Sequence, residues 1–195
     1  MGDAVHPPID ERPLRLAVYA GVFDPPTLAH LEIVESALRL FDRVLVLIAF
    51  NPNKQRALFT PEERVELMRA SLSDAMQPYV EVEAYAGLIA PYAELRGACA
   101  LVRGMRPYAD ADAEIALALM NQKLAPKIPT VLLVTSLRNM YLSSSFVRET
   151  ATLGHRIVPG SVSPAVEEAL RRRFASQLDG SPGAGVPAAF EQEDG

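Results

Sequence analysis

Short apolar runs alternate with stretches of helical periodicity along most of the chain. The runs Leu14–Tyr19, Arg43–Ala49, Val80–Ala84, Ala100–Arg103 and Thr130–Val134 are predicted strands. Several are continuously apolar rather than alternating, as expected of strands covered on both faces in a parallel sheet. Between them, Leu28–Leu40, Pro61–Leu72, Leu88–Arg96 and Ala109–Leu124 carry apolar residues at helical spacing. Two further helices are predicted near Ser144–Leu153 and Pro164–Gln177. The second helix has a full start signal: Thr60 can cap, Pro61 takes the first helical position and Glu63 completes a capping box. Ser163 caps the last helix in the same way.

Strand–helix alternation predicts an α/β protein, a single doubly wound domain with a five-stranded parallel sheet and right-handed crossovers. The domain is expected over residues 14–177, after a flexible segment 1–13. The stretch 178–195, LDGSPGAGVPAAFEQEDG, is rich in glycine, proline and small residues and is expected to be disordered.

Composition narrows the partners. A chain of 195 residues with 49% hydrophobic content supports one sizeable core. Its net charge of -5 argues against broad binding to nucleic acid or to an anionic membrane. The single cysteine, Cys99, rules out an intramolecular disulfide framework, and its neighbours Ala98, Ala100 and Leu101 predict an inert core position. The stretch MGDAVHPPIDERP holds no apolar signal region, and no run reaches the length of a membrane span. A cytoplasmic protein is the expectation.

The unusual polar stretches all follow predicted strands, where ligands bind in open α/β sheets. GVFDPPTLAH (Gly21 to His30) follows the first, FNPNKQR the second, VRGMRPYADADAE closes the fourth and TSLRNMYLSSS follows the fifth. They combine glycines for close backbone approach, Lys and Arg for phosphate, and hydroxyls at helix starts, whose free N–H groups favour anions. A P-loop, a G-x-G-x-x-G turn and a nucleophile elbow are all missing. The three histidines, His6, His30 and His155, are too scattered to suggest a metal cage.

The first turn resembles the T/H-x-G-H signature of the nucleotidyltransferase superfamily, with Thr27 and His30 at the outer positions. GVFDPPTLAH, NPNK, FTPEER, VRGMRPYADADAE with ALALMNQKL, and LSSSFVRE also come in the order and spacing of bacterial phosphopantetheine adenylyltransferases. The resemblance covers Leu16 to Phe174. It implies a Rossmann-like fold and transfer of an adenylyl group from ATP to 4′-phosphopantetheine, giving dephospho-coenzyme A and pyrophosphate. It also implies Mg2+ bound with ATP, a homo-oligomer, in this family a hexamer, and coenzyme A as a feedback ligand.

Carried onto this chain, the resemblance makes His30, Lys54 and Arg103 catalytic. It assigns ATP to Val22, Phe23, His30, Gly104, Met105, Arg106, Glu114 and the loop Asn139, Met140, Tyr141, Leu142, Ser143, Ser144 and Ser145. The acceptor falls to Val22, Lys54, Leu88, Ile89, Arg103, Leu117 and Asn121. In-line attack by a phosphate needs no protein nucleophile, so these residues position two anions and neutralise developing charge. Three serines at one helix start exceed what capping needs, which favours a phosphate role. The chain differs from the family in Val22, where a threonine is usual, and in Ala29, where a glycine is usual. The aromatics of the family's acidic run are absent from Asp110–Glu114, and one from Asn139-Met140. Two other readings follow: a paralogous nucleotidyltransferase using CTP or another phosphorylated acceptor, and a weakly active nucleotide- or coenzyme-A-binding regulator.

Overall fold

The computed structural model describes residues 13–53, 57–106, 110–153 and 156–175. Five strands, β1 (Leu16–Gly21), β2 (Arg43–Ala49), β3 (Val80–Tyr85), β4 (Ala100–Met105) and β5 (Thr130–Val134), form one sheet in the order β3-β2-β1-β4-β5. All four strand pairings are parallel. The helices are α1 (Leu28–Leu38), α2 (Pro61–Ser71), α3 (Ile89–Leu95), α4 (Ala111–Leu124), α5 (Ser144–Thr152) and α6 (Pro164–Arg173). This is the predicted doubly wound α/β architecture, with boundaries displaced by one to a few residues.

The continuous apolar runs are explained by helices on both faces. Ala17 and Tyr19 of β1, with Val44, Val46 and Ile48 of β2, pack with Ile33, Val34 and Met68 of α1 and α2. The intervening Val18, Ala20, Leu45 and Leu47 pack on the other face with Ala90 and Ala93 of α3. Side chains alternate faces along a strand, so each run feeds two cores at once. Burying each such side chain stabilises the fold by about 1.5–3 kcal/mol before entropy is counted. A third cluster joins α5 and α6 through Val147, Val166 and Leu170 to Phe59.

The predicted caps form. Thr60 Oγ1 accepts the Glu63 amide at 3.2 Å, while Glu63 accepts the Thr60 amide at 2.7 Å. Ser163 Oγ accepts the Val166 amide at 3.3 Å. Cys99 corrects the sequence reading: it is exposed, because alternation at the start of β4 turns its neighbours Ala98 and Ala100 inward. The expectations for the segment 1–13, save Pro13, and for the stretch 178–195 lie outside the described residues.

The sheet order creates the site. β1 pairs with β4 only from Ala17↔Ala100 to Tyr19↔Val102, whereas its pairing with β2 continues to Gly21↔Ile48 and β4 stays with β5 to Met105↔Val134. The two central strands therefore part at their carboxyl ends. A crevice at such a strand junction is where ligands bind in open α/β sheets.

Candidate active site

The parting of β1 and β4 leaves a crevice of about 280 Å³, walled by the β1–α1 turn, the end of β4, the start of α4 and the start of α5. His30, Arg103, Gly104, Arg106, Glu114, Leu142, Ser143 and Ser144 all line it, together with Val22 and Phe23. Gly104 is required there, since a Cβ would stand 2.9 Å from the Ile33 side chain. Phe23 occupies the left-handed region at φ 49° and is 3% exposed. Its ring packs edge-on between Tyr19, at 5.1 Å between centroids, and His30, at 4.9 Å. Its side chain thus fixes the turn and the histidine ring.

His30 sits in the first turn of α1, behind the N-cap Thr27. Its Nδ1 accepts the Thr27 backbone N–H at 3.0 Å and lies 3.1 Å from Thr27 Oγ1. A backbone amide can only donate, so Nδ1 is the unprotonated nitrogen and Nε2–H is the group the ring can offer to the crevice. Burial, reinforced by the positive charges of Arg106 and Arg103, lowers its pKa to about 4. At neutral pH the imidazole is therefore an uncharged hydrogen-bond donor, not a cation.

Both arginines of the crevice carry carboxylate partners. Arg103 Nε and Nη2 donate to Glu114 at 2.6 and 2.8 Å, and Nη1 donates to the Ala20 carbonyl, where the β1–β4 ladder has stopped. Burial pulls the Arg103 pKa down, but the Glu114 pair outweighs it and leaves the guanidinium above its ordinary value. Arg106 grips Asp110 through Nε and Nη2, both at 2.7 Å. The arginine that closes a buried strand is thus balanced from within the chain by Glu114. A guanidinium has five N–H groups, so Arg103 keeps two for an anion while holding Glu114 and Ala20. Tyr19, 4% exposed beneath the crevice, has its pKa raised by burial, with Arg103 opposing and Glu114 reinforcing.

The remaining predicted residues divide by location. Lys54 lies outside the described residues. Val22 is 58% exposed and also lines a neighbouring cavity of about 910 Å³ flanked by Phe50–Pro52 and Ala57–Arg64. Met105 ends β4, where its carbonyl accepts the Thr135 amide at 3.1 Å. Leu88 is the exposed N-cap of α3, Ile89 begins that helix, and Leu117 and Asn121 lie on α4; none of the four lines the crevice. Asn139 donates its side-chain amide to Glu32 at 2.7 Å. Tyr141 is exposed and meets Phe146 edge-on, and Met140 lies between it and Asn139 in the turn before α5.

Each serine of the α5 start has a structural partner. Ser143 Oγ accepts the Phe146 amide at 3.0 Å, Ser144 Oγ donates to the Pro25 carbonyl at 2.8 Å, and Ser145 Oγ accepts from Arg148 at 3.2 Å. The number of serines is thereby explained by structure. What α5 offers an anion is its first-turn amides: intrahelical bonding begins only with Val147 N–H to the Ser143 carbonyl.

Sequence reasoning missed several anchors. The Asp24 carboxylate, 2% exposed, accepts the Leu58 and Phe59 amides at 2.8 and 2.9 Å and pairs with Arg148 at 3.8 Å. Arg64, also 2% exposed, donates to the Val22 carbonyl at 2.9 Å. Glu32 binds the loop after β5. Thr135, 7% exposed, lines the crevice with its Oγ1 lacking a partner. Only Asp24 had a signal, since a carboxylate inside GVFDPP is an odd choice for a buried turn; the others look like solvated residues.

Comparison with known proteins agrees with this geometry. The cytidylyltransferase-like family model matches residues 18–150. A phosphopantetheine adenylyltransferase of Desulfatibacillum aliphaticivorans is 41% identical over 164 residues, covering 84% of this chain and 89% of that one. The phosphopantetheine adenylyltransferase of Synechococcus sp. (strain JA-3-3Ab) is 45% identical over 159 residues, 82% of this chain and 98% of that one. A crystal structure from Vibrio parahaemolyticus, provisionally assigned as a nicotinate-nucleotide adenylyltransferase, superposes with a TM-score of 0.58 at 20% identity, covering 86% of this chain and 97% of that one, and shows the fold alone. On the family model and the relatives together, the chain belongs to the cytidylyltransferase-like family and, within it, to the phosphopantetheine adenylyltransferases.

Proposed function

We propose that this protein transfers an adenylyl group from ATP to 4′-phosphopantetheine, giving dephospho-coenzyme A and pyrophosphate, a step of coenzyme A biosynthesis. The observation that carries the reading is the 41–45% identity to phosphopantetheine adenylyltransferases along nearly their whole length, on a chain whose crevice gathers His30, Arg103 and Arg106. The acceptor phosphate attacks the α-phosphorus in line, the bond to the β-phosphate oxygen breaks, and pyrophosphate leaves with its electron pair. No covalent enzyme intermediate is needed. The neutral His30 donates Nε2–H to the reacting phosphates as negative charge shifts among their oxygens. Arg103 and Lys54 serve the acceptor phosphate, and Arg106 with the α5 amides serves the nucleotide.

Magnesium fits as a companion of the triphosphate rather than as the resident of a protein cage. Asp110 and Glu114 are engaged by arginines, and among the described residues no group of three His, Cys, Asp or Glu is placed to hold a metal ion. Bound to ATP, the ion neutralises part of the phosphate charge.

Self-association is part of the reading. α4 exposes Ile115 (48%) and Leu119 (58%), four residues apart on one side of the helix, apolar surface of the kind that marks contact sites. Its occupant is a further copy of this chain, as the hexamer of the resemblance implies. Coenzyme A, which shares the acceptor's pantetheine arm, is the feedback ligand. The reading places the protein in the cytoplasm; among the described residues no helix is long and apolar enough to cross a membrane.

Pyrophosphate release with ATP and 4′-phosphopantetheine, run beside CTP and other phosphorylated acceptors, tests the assignment. Activity confined to this pair upholds it. Preference for another nucleotide or acceptor replaces it with the paralogue reading, for which Val22 is the specific observation. Tight coenzyme A binding without turnover replaces it with the regulator reading.

A further inference from the structure

We propose that Glu32 is a positioning residue for the nucleotide: its carboxylate fixes the loop after β5 and, through that loop, one wall of the crevice. Glu32 lies two residues beyond His30 on α1. Its Oε1 accepts the Ser136 backbone amide at 2.8 Å, and its Oε2 accepts the Ser136 hydroxyl at 3.2 Å and the Asn139 side-chain amide at 2.7 Å. Three donors from one loop thus converge on one carboxylate more than a hundred residues away in sequence. Burial of the carboxyl raises its pKa, but the Asn139 and Ser136 hydrogen bonds outweigh it and leave the pKa below its ordinary value, so the group is charged at neutral pH. Hydrogen bonds to an ionised acceptor are among the stronger ones.

The loop held in this way matters because of its neighbours. Thr135, directly before Ser136, lines the crevice with its buried, unpartnered hydroxyl. The Asn139 carbonyl accepts the Leu142 amide at 3.0 Å, and Leu142, Ser143 and Ser144 form the next part of the same wall. Glu32 therefore ties the loop between β5 and α5 to α1, while the α5 start is held separately by Ser144 Oγ on the Pro25 carbonyl. It touches no reacting atom, and it lines neither cavity. Its loss should loosen the nucleotide side while leaving the acceptor side, at Arg103 and the loop after β2, in place. The choice of nucleotide over acceptor rests on the reading under Proposed function.

The test is steady-state kinetics of Glu32→Ala and Glu32→Gln, varying ATP at saturating 4′-phosphopantetheine and the reverse, with a melting curve for each variant. Glu32→Ala should raise the KM for ATP about tenfold or more and change the KM for phosphopantetheine by less than about twofold. Glu32→Gln keeps one acceptor oxygen and should recover part of the loss. An ATP KM within about twofold of wild type, or both KM values rising together with no recovery in Glu32→Gln, overturns the proposal. Absence of turnover in the wild type would instead sink the functional reading. Equilibrium titration with ATP still decides the positioning role in that case: weaker ATP binding by Glu32→Ala upholds it, and equal binding overturns it.

Discussion

Restoring a threonine at Val22 should accelerate the reaction with ATP and 4′-phosphopantetheine. Val22 is 58% exposed at the junction of the crevice and the neighbouring cavity, so the exchange removes no packed methyl from the core. Its carbonyl is held by Arg64 at 2.9 Å, and the buried Phe23 ring anchors the next residue. A hydroxyl introduced there is delivered from a fixed backbone, with little entropy to lose. A hydrogen bond to a charged group is worth roughly 1.5–3 kcal/mol, which converts to about ten- to hundredfold in rate if it forms only in the transition state. Initial-rate measurements of pyrophosphate release for both proteins supply kcat and KM separately. A gain in kcat places the hydroxyl on the reacting phosphates, and a gain confined to KM places it on the bound substrate. Melting temperature should change little. An unchanged or lower rate with phosphopantetheine, beside good activity on another acceptor, would refute the argument and show that valine is fitted to a different substrate.

Three further outcomes follow from the same geometry. His30→Ala should lower turnover by about a hundredfold or more while leaving ATP affinity within severalfold, measured by kinetics beside equilibrium titration, as the role proposed for the neutral ring on developing charge requires. Acid should destabilise the fold through the same residue: the unfolded chain binds a proton below about pH 6.5 while native His30 resists until about 4. Stability is therefore lost as pH falls across that window, by about 3 kcal/mol, and urea unfolding at pH 7 and pH 4 should show a smaller loss in His30→Gln. Leu47→Ala, at a fully buried position of β2, should cost about 2–5 kcal/mol in the same unfolding assay, and a cost under about 1 kcal/mol would contradict the described core.

Much of the fold was legible in the chain because the signals are local. Continuous apolar runs announce strands covered on both faces, and Thr60-Pro61 with Glu63 announces a helix start, whatever lies elsewhere in the protein. The Thr27 to His30 turn was legible for the same reason: four adjacent residues carry it. Periodicity cannot express strand order, however. That β1 lies between β2 and β4, and that β1 and β4 part after Tyr19 and Val102, emerges only when helices pack on both faces of the sheet. The electrostatics of the site depend on that order. The sequence names no partner for Arg103; the parting strands place it against Ala20 and bring Glu114 to its guanidinium. Glu32 looked like any solvated helix carboxylate, yet the β4–β5 pairing carries Ser136 and Asn139 to it. A local pattern tells a residue which way to face; only the packed sheet decides what it will meet there.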